Sequence, residues 1–421
     1  MTNTERIQRT SVYEVNVRQY TPEGTFIAFA QHLPRLKDMG ITTLWFMPVT
    51  PIAKKNRKGI LGSYYACSDY TAVNPEFGTL EDFRQLVKEA HQLGLRVIID
   101  WVANHTGWDH IWTDKHPEYY LRDEATGDFK TPEGMEDIIA LDFNNTAMRN
   151  AMIEAMHFWV KECTIDGFRC DLAFWVPLDF WATAKNELEK RSGPLFWLGE
   201  LDPIEEPRYL EVFNAAYTWK WMRLAEEYGK GNAHLNELKT LLLQYDDVCR
   251  EKSMPLWFTS NHDENSWNGT EFEKYGEIAT ALAVFSCTWK GIPLIYSGQE
   301  LPNKKRLQFF EKDEIAWDGH CMLHTFYRSF LSLRLQHPAF SPGAIITFVE
   351  TNPADTILAF HRRQQEHEVL VILNLGKEEM RIDSLAAISG TFTELFNNAA
   401  IEFPLALPLF VSPGGFHVFT K

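Results

Sequence analysis

The sequence predicts an α/β chain built as a (β/α)8 TIM barrel, with a short insertion after the third strand and an all-β domain at the C-terminus. Three observations predict it. Apolar, strand-like runs alternate with helical stretches from residue 12 to about 337, the rhythm of repeated βα units. Four of those runs lead into carboxylates: Leu95-Arg-Val-Ile-Ile-Asp100, Asp166-Gly-Phe-Arg-Cys-Asp171, Leu195-Phe-Trp-Leu-Gly-Glu200 and Leu256-Trp-Phe-Thr-Ser-Asn-His-Asp263. Barrel enzymes keep their chemistry at the C-terminal ends of the strands. From about Pro338 the texture changes to short strands between Gly, Pro and Asn turns, which reads as a separate β domain.

The elements follow in order. Val12 to Val17 is a first strand, and Ile27 to Met39 a helix stopped by Gly40. Thr43 to Met47 is a second strand, closed by Pro48. Thr79-Leu-Glu-Asp82 has the form of a capping box, opening a helix that ends before Gly94. Leu95 to Ile99 is the third strand. Residues 104 to 141 then hold Gly, Pro, Asp, His and Trp without a helical period. An irregular excursion of that length inside a compact domain is usually functional. Thr146 to Lys161 is a helix, Asp166 to Asp171 the fourth strand, Leu178 to Lys190 a helix and Leu195 to Glu200 the fifth strand. The sixth strand is weakly marked and is placed near Val212 to Tyr217. Leu256 to Thr259 is the seventh, Glu277 to Cys287 a helix, Pro293 to Tyr296 the eighth, and Met322 to Gln336 the last helix. Ile345 to Val349, Thr356 to His361, Val369 to Leu373 and Gly415 to Phe419 are strands of the C-terminal domain. The expected division is therefore a barrel over 1–337, with a small inserted domain at 104–141, and a β-sandwich over 338–421.

Composition narrows the function. A chain of 421 residues suits one barrel plus a smaller domain, and 45% hydrophobic residues can fill a large core. The net charge of −16 argues against nucleic acid or anionic membranes as partners, since both need a positive surface. Aromatic residues make up 14%; core packing explains most, and flat ring faces that stack on sugar rings would explain a few. Cys67, Cys163, Cys170, Cys249, Cys287 and Cys321 form no paired framework, as expected of reduced thiols. Cys170 lies between Arg169 and Asp171, so it should face the opposite side of its strand. The polar start, Met1-Thr-Asn-Thr-Glu-Arg-Ile-Gln, lacks the apolar core of a leader, and no run is apolar enough to span a bilayer. The expected location is cytoplasmic, with no membrane partner.

Four segments together resemble the signatures of the α-amylase superfamily of retaining glycoside hydrolases, family 13. Asp100-x-x-x-Asn104-His105 is similar to the first, Gly167-Phe-Arg169-x-Asp171 to the second, Glu200 after its apolar strand to the third, and Asn261-His262-Asp263 to the fourth. Their order and strand placement also match. The resemblance implies Asp171 as nucleophile, Glu200 as general acid/base and Asp263 as the support of an oxocarbenium-like transition state. Retaining enzymes use two carboxyl groups about 5–5.5 Å apart. Arg169, two residues before Asp171 on one strand face, is placed to keep that carboxylate ionised, and Glu200 has to be protonated before bond cleavage. His105 and His262 look like the histidines that bond the sugar hydroxyls, with Asp100 fixing the first of these regions. Within Gly62-Ser-Tyr-Tyr-Ala-Cys-Ser-Asp69-Tyr70, Tyr65 resembles the tyrosine that stacks on the sugar, with Tyr64 as a competitor. Tyr13 reads as core. Phe174 and Trp175 are either a stacking platform on the leaving-group side or part of the cleft wall, and Trp175 is carried as a substrate-binding candidate.

The chain departs from the family pattern at the calcium site many members hold. Asn104 is present, but Trp175 stands where a histidine is usual and Ala140, in Ile138-Ile-Ala-Leu-Asp142, where an aspartate is usual. Calcium takes six to eight oxygens, so no metal and no cofactor are expected. Members that remove single glucose units often carry an aspartate three places before the stacking tyrosine. Gly62 stands there, which predicts an open cleft and internal cleavage. The expected function is an α-amylase-type retaining endo-hydrolase of α-1,4-glucosidic bonds in starch, glycogen or maltooligosaccharides. A 4-α-glucanotransferase or other α-glucoside transglycosylase is the alternative, and a non-catalytic amylase-like subunit a third reading that the complete carboxylate set disfavours.

Overall fold

Eight parallel strands close into a barrel in the computed structural model, which describes residue 7 and residues 9–250, 252–317, 319, 321–352 and 355–421. The rest of the polar N-terminal run read for a leader lies outside the described residues. The strands are β1 (Val12–Val15), β2 (Thr43–Phe46), β3 (Arg96–Trp101), β4 (Gly167–Cys170), β5 (Phe196–Gly199), β6 (Ala215–Tyr217), β7 (Met254–Trp257) and β8 (Ile292–Tyr296). Each pairs with its sequence neighbours, and β8 closes on β1 through Val12–Leu294 and Glu14–Tyr296. Every residue of these strands is buried. Helices cover the outside and side chains fill the inside, so the runs read as continuous apolar stretches rather than alternating ones.

The helices show which local rules held. Leu80–Gln92 carries the full capping box: Thr79 accepts from the Asp82 N–H, and Asp82 accepts from the Thr79 N–H at 2.8 Å. The stretch expected as one helix from Ile27 is instead two, Phe26–Ala30 and Leu33–Met39. Pro34 is the reason, because its ring collides with the carbonyl four residues earlier and it has no N–H to donate. Two unanticipated helices, Trp219–Lys230 and Leu235–Cys249, join β6 to β7.

The excursion after β3 is a small ribbon and loop. His105–Gly107 pairs antiparallel with Ile138–Ala140, and Ile111–Lys115 makes a short helix between them. The ribbon pins both ends of the excursion to the barrel mouth and delivers His105 there.

After the last barrel helix, His324–Gln336, the chain forms a six-stranded antiparallel sheet. Its strands are β9 (Ile345–Phe348), β10 (Ile357–Gln364), β11 (His367–Asn374), β12 (Gly390–Glu394), β13 (Ala400–Phe403) and β14 (Phe416–Thr420), in the order β9-β10-β11-β14-β12-β13. Two short ribbons, Thr351–Asn352 with Ser384–Leu385 and Met380–Ile382 with Leu409–Val411, accompany it. One face of the sheet, with Leu358, Phe360, Val371 and Val418, joins the barrel core; the other, with Ile357, Ala359, Leu370 and Phe419, forms a second core with Ile382, Leu385 and Val411 of the ribbons.

Candidate active site

Asp171, Glu200, Asp263, Tyr65 and His105 line one cavity of about 450 Å³ at the C-terminal mouth of the barrel. Its remaining walls include Lys58, Met135, Asp137, Trp267, Phe309 and Phe310. The strands dictate the placement. Asp171 continues β4, its N–H bonded to the Trp101 carbonyl at 3.0 Å, and Glu200 continues β5, its N–H bonded to the Cys170 carbonyl at 3.0 Å. Gly167 opens β4 because a Cβ there would lie 1.9 Å from the Phe196 carbonyl oxygen. Leu172, directly after Asp171, has φ 40°, a left-handed conformation costly for a branched side chain. That turn aims its N–H at Glu200 Oε2, 2.7 Å away.

Arg169 lies beneath the cavity with no solvent exposure. Its Nη1 donates to Asp100 Oδ1 at 2.8 Å and to Asp171 Oδ1 at 3.0 Å; its Nη2 meets Glu200 Oε2 at 2.8 Å. Tyr217 accepts from its Nε at 3.2 Å. The expectation that Arg169 serves Asp171 needs correction: one guanidinium is divided among three carboxylates. Asp100 sits opposite Arg169 in register and also accepts from the Trp45 indole (3.2 Å) and the Tyr65 hydroxyl (3.0 Å). Asp100, Arg169 and His262 were expected to touch substrate. They do not line the cavity; they are buried under it and hold the groups that do.

Burial and the neighbouring Glu200 charge push the Asp171 carboxyl well above the usual range, with Arg169 opposing. Burial raises Glu200 too, against Arg169 and the Leu172 N–H. Arg169 therefore does not outweigh desolvation at Asp171, which departs from the sequence expectation. Glu14, Asp100, Asp171, Glu200 and Asp263 place five carboxyls around Arg169 and His262 in a mostly buried cluster. Carboxyls so close repel one another when ionised, which favours sharing a proton between them. Asp263, half-exposed to the cavity, goes the other way: burial would raise it, but His262, at 3.2 Å, holds it below the usual carboxylate range. Burial lowers His105 to about 4, so it is neutral, and its Nε2 is buried without a partner.

Tyr65 wins over Tyr64. Its ring lines the cavity, stacked on His262 (5.4 Å between centroids) and on Phe309 (6.2 Å). Tyr64 is buried under the Arg18 guanidinium and bonds Asn16, and Tyr13 is core, bonded to Glu300. Trp175 is 43% exposed and outside the cavity lining, while Phe174 packs edge-on against Trp219. The donors near Asn104 are a poor fit to calcium. Its side-chain nitrogen faces His105 Nδ1, the Ala140 carbonyl accepts from the Leu121 N–H, and among the described residues no three His, Cys, Asp or Glu side chains converge on a metal position.

Sequence reasoning missed Glu14, a lone acid inside apolar β1 that meets His262 Nδ1 at 2.5 Å. It also missed the wall opposite. The loop carrying Gly62 crosses the cleft: Leu61 N–H bonds the Phe310 carbonyl (3.0 Å), Ile60 N–H bonds Glu311 (2.9 Å), and Lys58 reaches the Gly134 carbonyl (3.0 Å) and Asp137 (3.1 Å). Gly62 leaves no side chain in the cleft, yet the loop around it is tied to the segments at 134–137 and 310–311 that flank the cavity. No helix among the described residues is long and apolar enough to cross a membrane.

Similar proteins share this arrangement of strands and domains. An α-amylase of Lactobacillus plantarum has a crystal structure that matches with a TM-score of 0.88 at 27% identity, covering 100% of both chains. A maltogenic α-amylase of Thermotoga neapolitana matches with a TM-score of 0.89 at 28% identity, covering 98% of this chain and 99% of that one. Alpha-amylase 2 of Dictyoglomus thermophilum is 25% identical over 404 residues, 89% of this chain and 67% of that protein. The chain spans from 33% to 67% of the length of such curated relatives. Residues 3–138 and 118–321 match the family described as "Alpha amylase, catalytic domain". With that match over most of its length and a closed barrel carrying a C-terminal β domain, the chain belongs to the α-amylase superfamily of glycoside hydrolases.

Proposed function

We propose that the chain hydrolyses α-1,4-glucosidic bonds in maltooligosaccharides, glycogen or starch with retention at the anomeric carbon. The observation that carries this reading is Asp171 and Glu200 facing one cavity while a single guanidinium fork holds both. A pair spanned by one fork suits the close spacing of retaining enzymes, about 5–5.5 Å, better than the 6.5–9.5 Å that leaves room for a water. Asp171 attacks the anomeric carbon. Glu200, carrying the shared proton once a sugar displaces it from Arg169 and the Leu172 N–H, protonates the leaving oxygen and then activates water. Asp263 supports the positive charge that develops on the ring, Tyr65 stacks on the sugar, and His105 offers its free Nε2 to a hydroxyl. No step uses a metal, and we propose no calcium requirement.

The crossing loop at 57–62 changes the expected mode of attack. A cleft walled at one end seats a limited number of sugar units there, so the reading moves from internal cleavage toward release of short products. The same wall and the aromatic lining of Trp267, Phe309 and Phe310 restrict water at the covalent intermediate, which keeps transfer to a sugar acceptor as the second reading. Incubation with maltoheptaose, followed by chromatography, tests both. Shorter products only, absent in Asp171→Asn, support hydrolysis; the variant should lose about 10⁴-fold or more in kcat. Products longer than the substrate support transglycosylation. No turnover by the native chain overturns the reading.

A further inference from the structure

We propose that Glu14 is a positioning residue that keeps the His262 imidazole doubly protonated, so that one ring holds Asp263 and Tyr65 together. The argument is a count of protons. Asp100 receives Arg169 Nη1 at 2.8 and 3.0 Å, the Trp45 indole at 3.2 Å and the Tyr65 hydroxyl at 3.0 Å. With N–H donors on both oxygens it is an ionised acceptor, so the single proton of Tyr65 goes to it. Tyr65 oxygen then has only acceptor capacity left for His262 Nε2, 2.7 Å away. Nε2 must donate, and Asp263 Oδ2 at 3.2 Å demands the same. On the other side of the ring, Nδ1 faces Glu14 Oε1 at 2.5 Å. A neutral imidazole has one N–H. Two are needed here as long as Glu14 is ionised; burial raises its carboxyl, and His262 and Arg169 oppose that.

Glu14 is fully buried, and its Oε2 has no hydrogen-bond partner. An ionised carboxylate so placed is tolerable only beside a compensating cation, and His262 is the cation it touches. Other titratable or charged groups near the ring, strand by strand, are Tyr65 after β2, Asp100 from β3, Arg169 from β4, Glu200 after β5, Tyr217 from β6, Asp263 after β7 and Tyr296 from β8. Burial keeps the Tyr217 and Tyr296 hydroxyls neutral by raising both well above their usual range. Burial also works against a charged His262, but Asp263 and Glu14 outweigh it and raise the ring well above its ordinary value.

E14Q separates charge from shape, because its amide can still bond Nδ1, donating to a neutral ring, while its charge is gone. The kinetic consequence rests on the glucan-cleaving reading; the protonation state does not. In E14Q the alkaline limb of kcat/KM on maltoheptaose should move down by about one pH unit or more, with kcat falling more than KM rises and activity recovering at lower pH. ¹⁵N NMR of histidine-labelled protein reads the ring directly, with His262 assigned by the signal lost in H262N. At pH 7.5 the native chain should show both ring nitrogens protonated, and E14Q only Nε2. A neutral His262 in the native chain at that pH overturns the proposal, as does an E14Q spectrum unchanged from native. The native spectrum carries the test even if E14Q does not fold. Native protein with a protonated His262 but no glucan turnover would sink the functional reading and leave this assignment standing.

Discussion

Arg169 and Asp100 have almost no contact with water, so losing the guanidinium would leave Asp100 with neither cation nor solvent. Glu271 shows what burial does without such a partner. Its Oε2 accepts from Thr259 (2.7 Å) and Gln299 (3.0 Å), and burial pushes it from the usual 4.5 up to about 7. The folded state therefore binds this proton more tightly than the unfolded chain does. Its stabilising contribution is complete below about pH 4.5 and is lost as pH rises through about 7. E271Q cannot lose it. Urea unfolding of both proteins between pH 4.5 and 8 should show a gap that grows with pH in favour of E271Q, toward roughly 3 kcal/mol; parallel curves would mean that Glu271 does not titrate there. Among site residues, Asp171, Glu200 and Asp263 were legible because each ends or follows an apolar run. Glu14 was not, since a single acid within four strand residues has no spacing to mark it. Nor was the sharing of Arg169, because Asp100 meets it only through strand register.

At the scale of elements, the strands were legible and their connections less so. Continuous apolar runs marked seven strands, whereas β6 is only Ala215–Tyr217, with two small side chains. Helix Leu235–Cys249 went unread although its signal is present: Leu235, Leu238, Leu241, Leu242 and Tyr245 recur at three- and four-residue spacing. Helix Trp219–Lys230 buries only Trp221, Met222 and Ala225, too few to set a period. The loop that walls the cleft carries no such signal. Leu61 is held by a backbone contact to Phe310, Ile60 by the Glu311 side chain, and Lys58 reaches Gly134, Glu136 and Asp137, all across distances in sequence that no local pattern reports. Lys58 is half-exposed, so its pairing adds little stability. Its effect should fall on access instead. K58A should retain its fold and shift the products of maltoheptaose and longer chains toward greater length, with a several-fold gain in the ratio of long to short products. An unchanged product ladder would assign the wall to the Leu61–Phe310 and Ile60–Glu311 contacts.

The whole molecule is held as one body by the sheet that follows the barrel. Trp289, at the end of a barrel helix, stacks on Phe348 at 5.4 Å and meets Phe360 edge-on at 4.9 Å. Arg362, buried in β10, donates to the carbonyls of Ala339 and Thr288, both at 2.9 Å. Those carbonyls would otherwise face an apolar interface unpaired, which is costly. A close approach is at Gly414, where φ is +60° and an added Cβ would lie 1.9 Å from the Glu277 carbonyl oxygen. Neither backbone can retreat cheaply: the turn at Gly414 leads directly into β14, and Glu277 lies within the helical turn Gly276–Ile278 that leads into Ala279–Thr288. G414A adds one methyl group, together with a left-handed conformation that alanine disfavours by about 1 kcal/mol. We expect a loss of about 2–3 kcal/mol, expressed as a looser seat for the sheet. Calorimetry should show one transition for the native chain, because the sheet contributes Leu358, Phe360, Val371 and Val418 to the barrel core and neither part is complete alone. In G414A that transition should move down or split, and residues 338–421 should become the first protease target. A transition unchanged in position and shape would mean that the turn and Glu277 can part without cost, and that the shared core alone holds the two domains together.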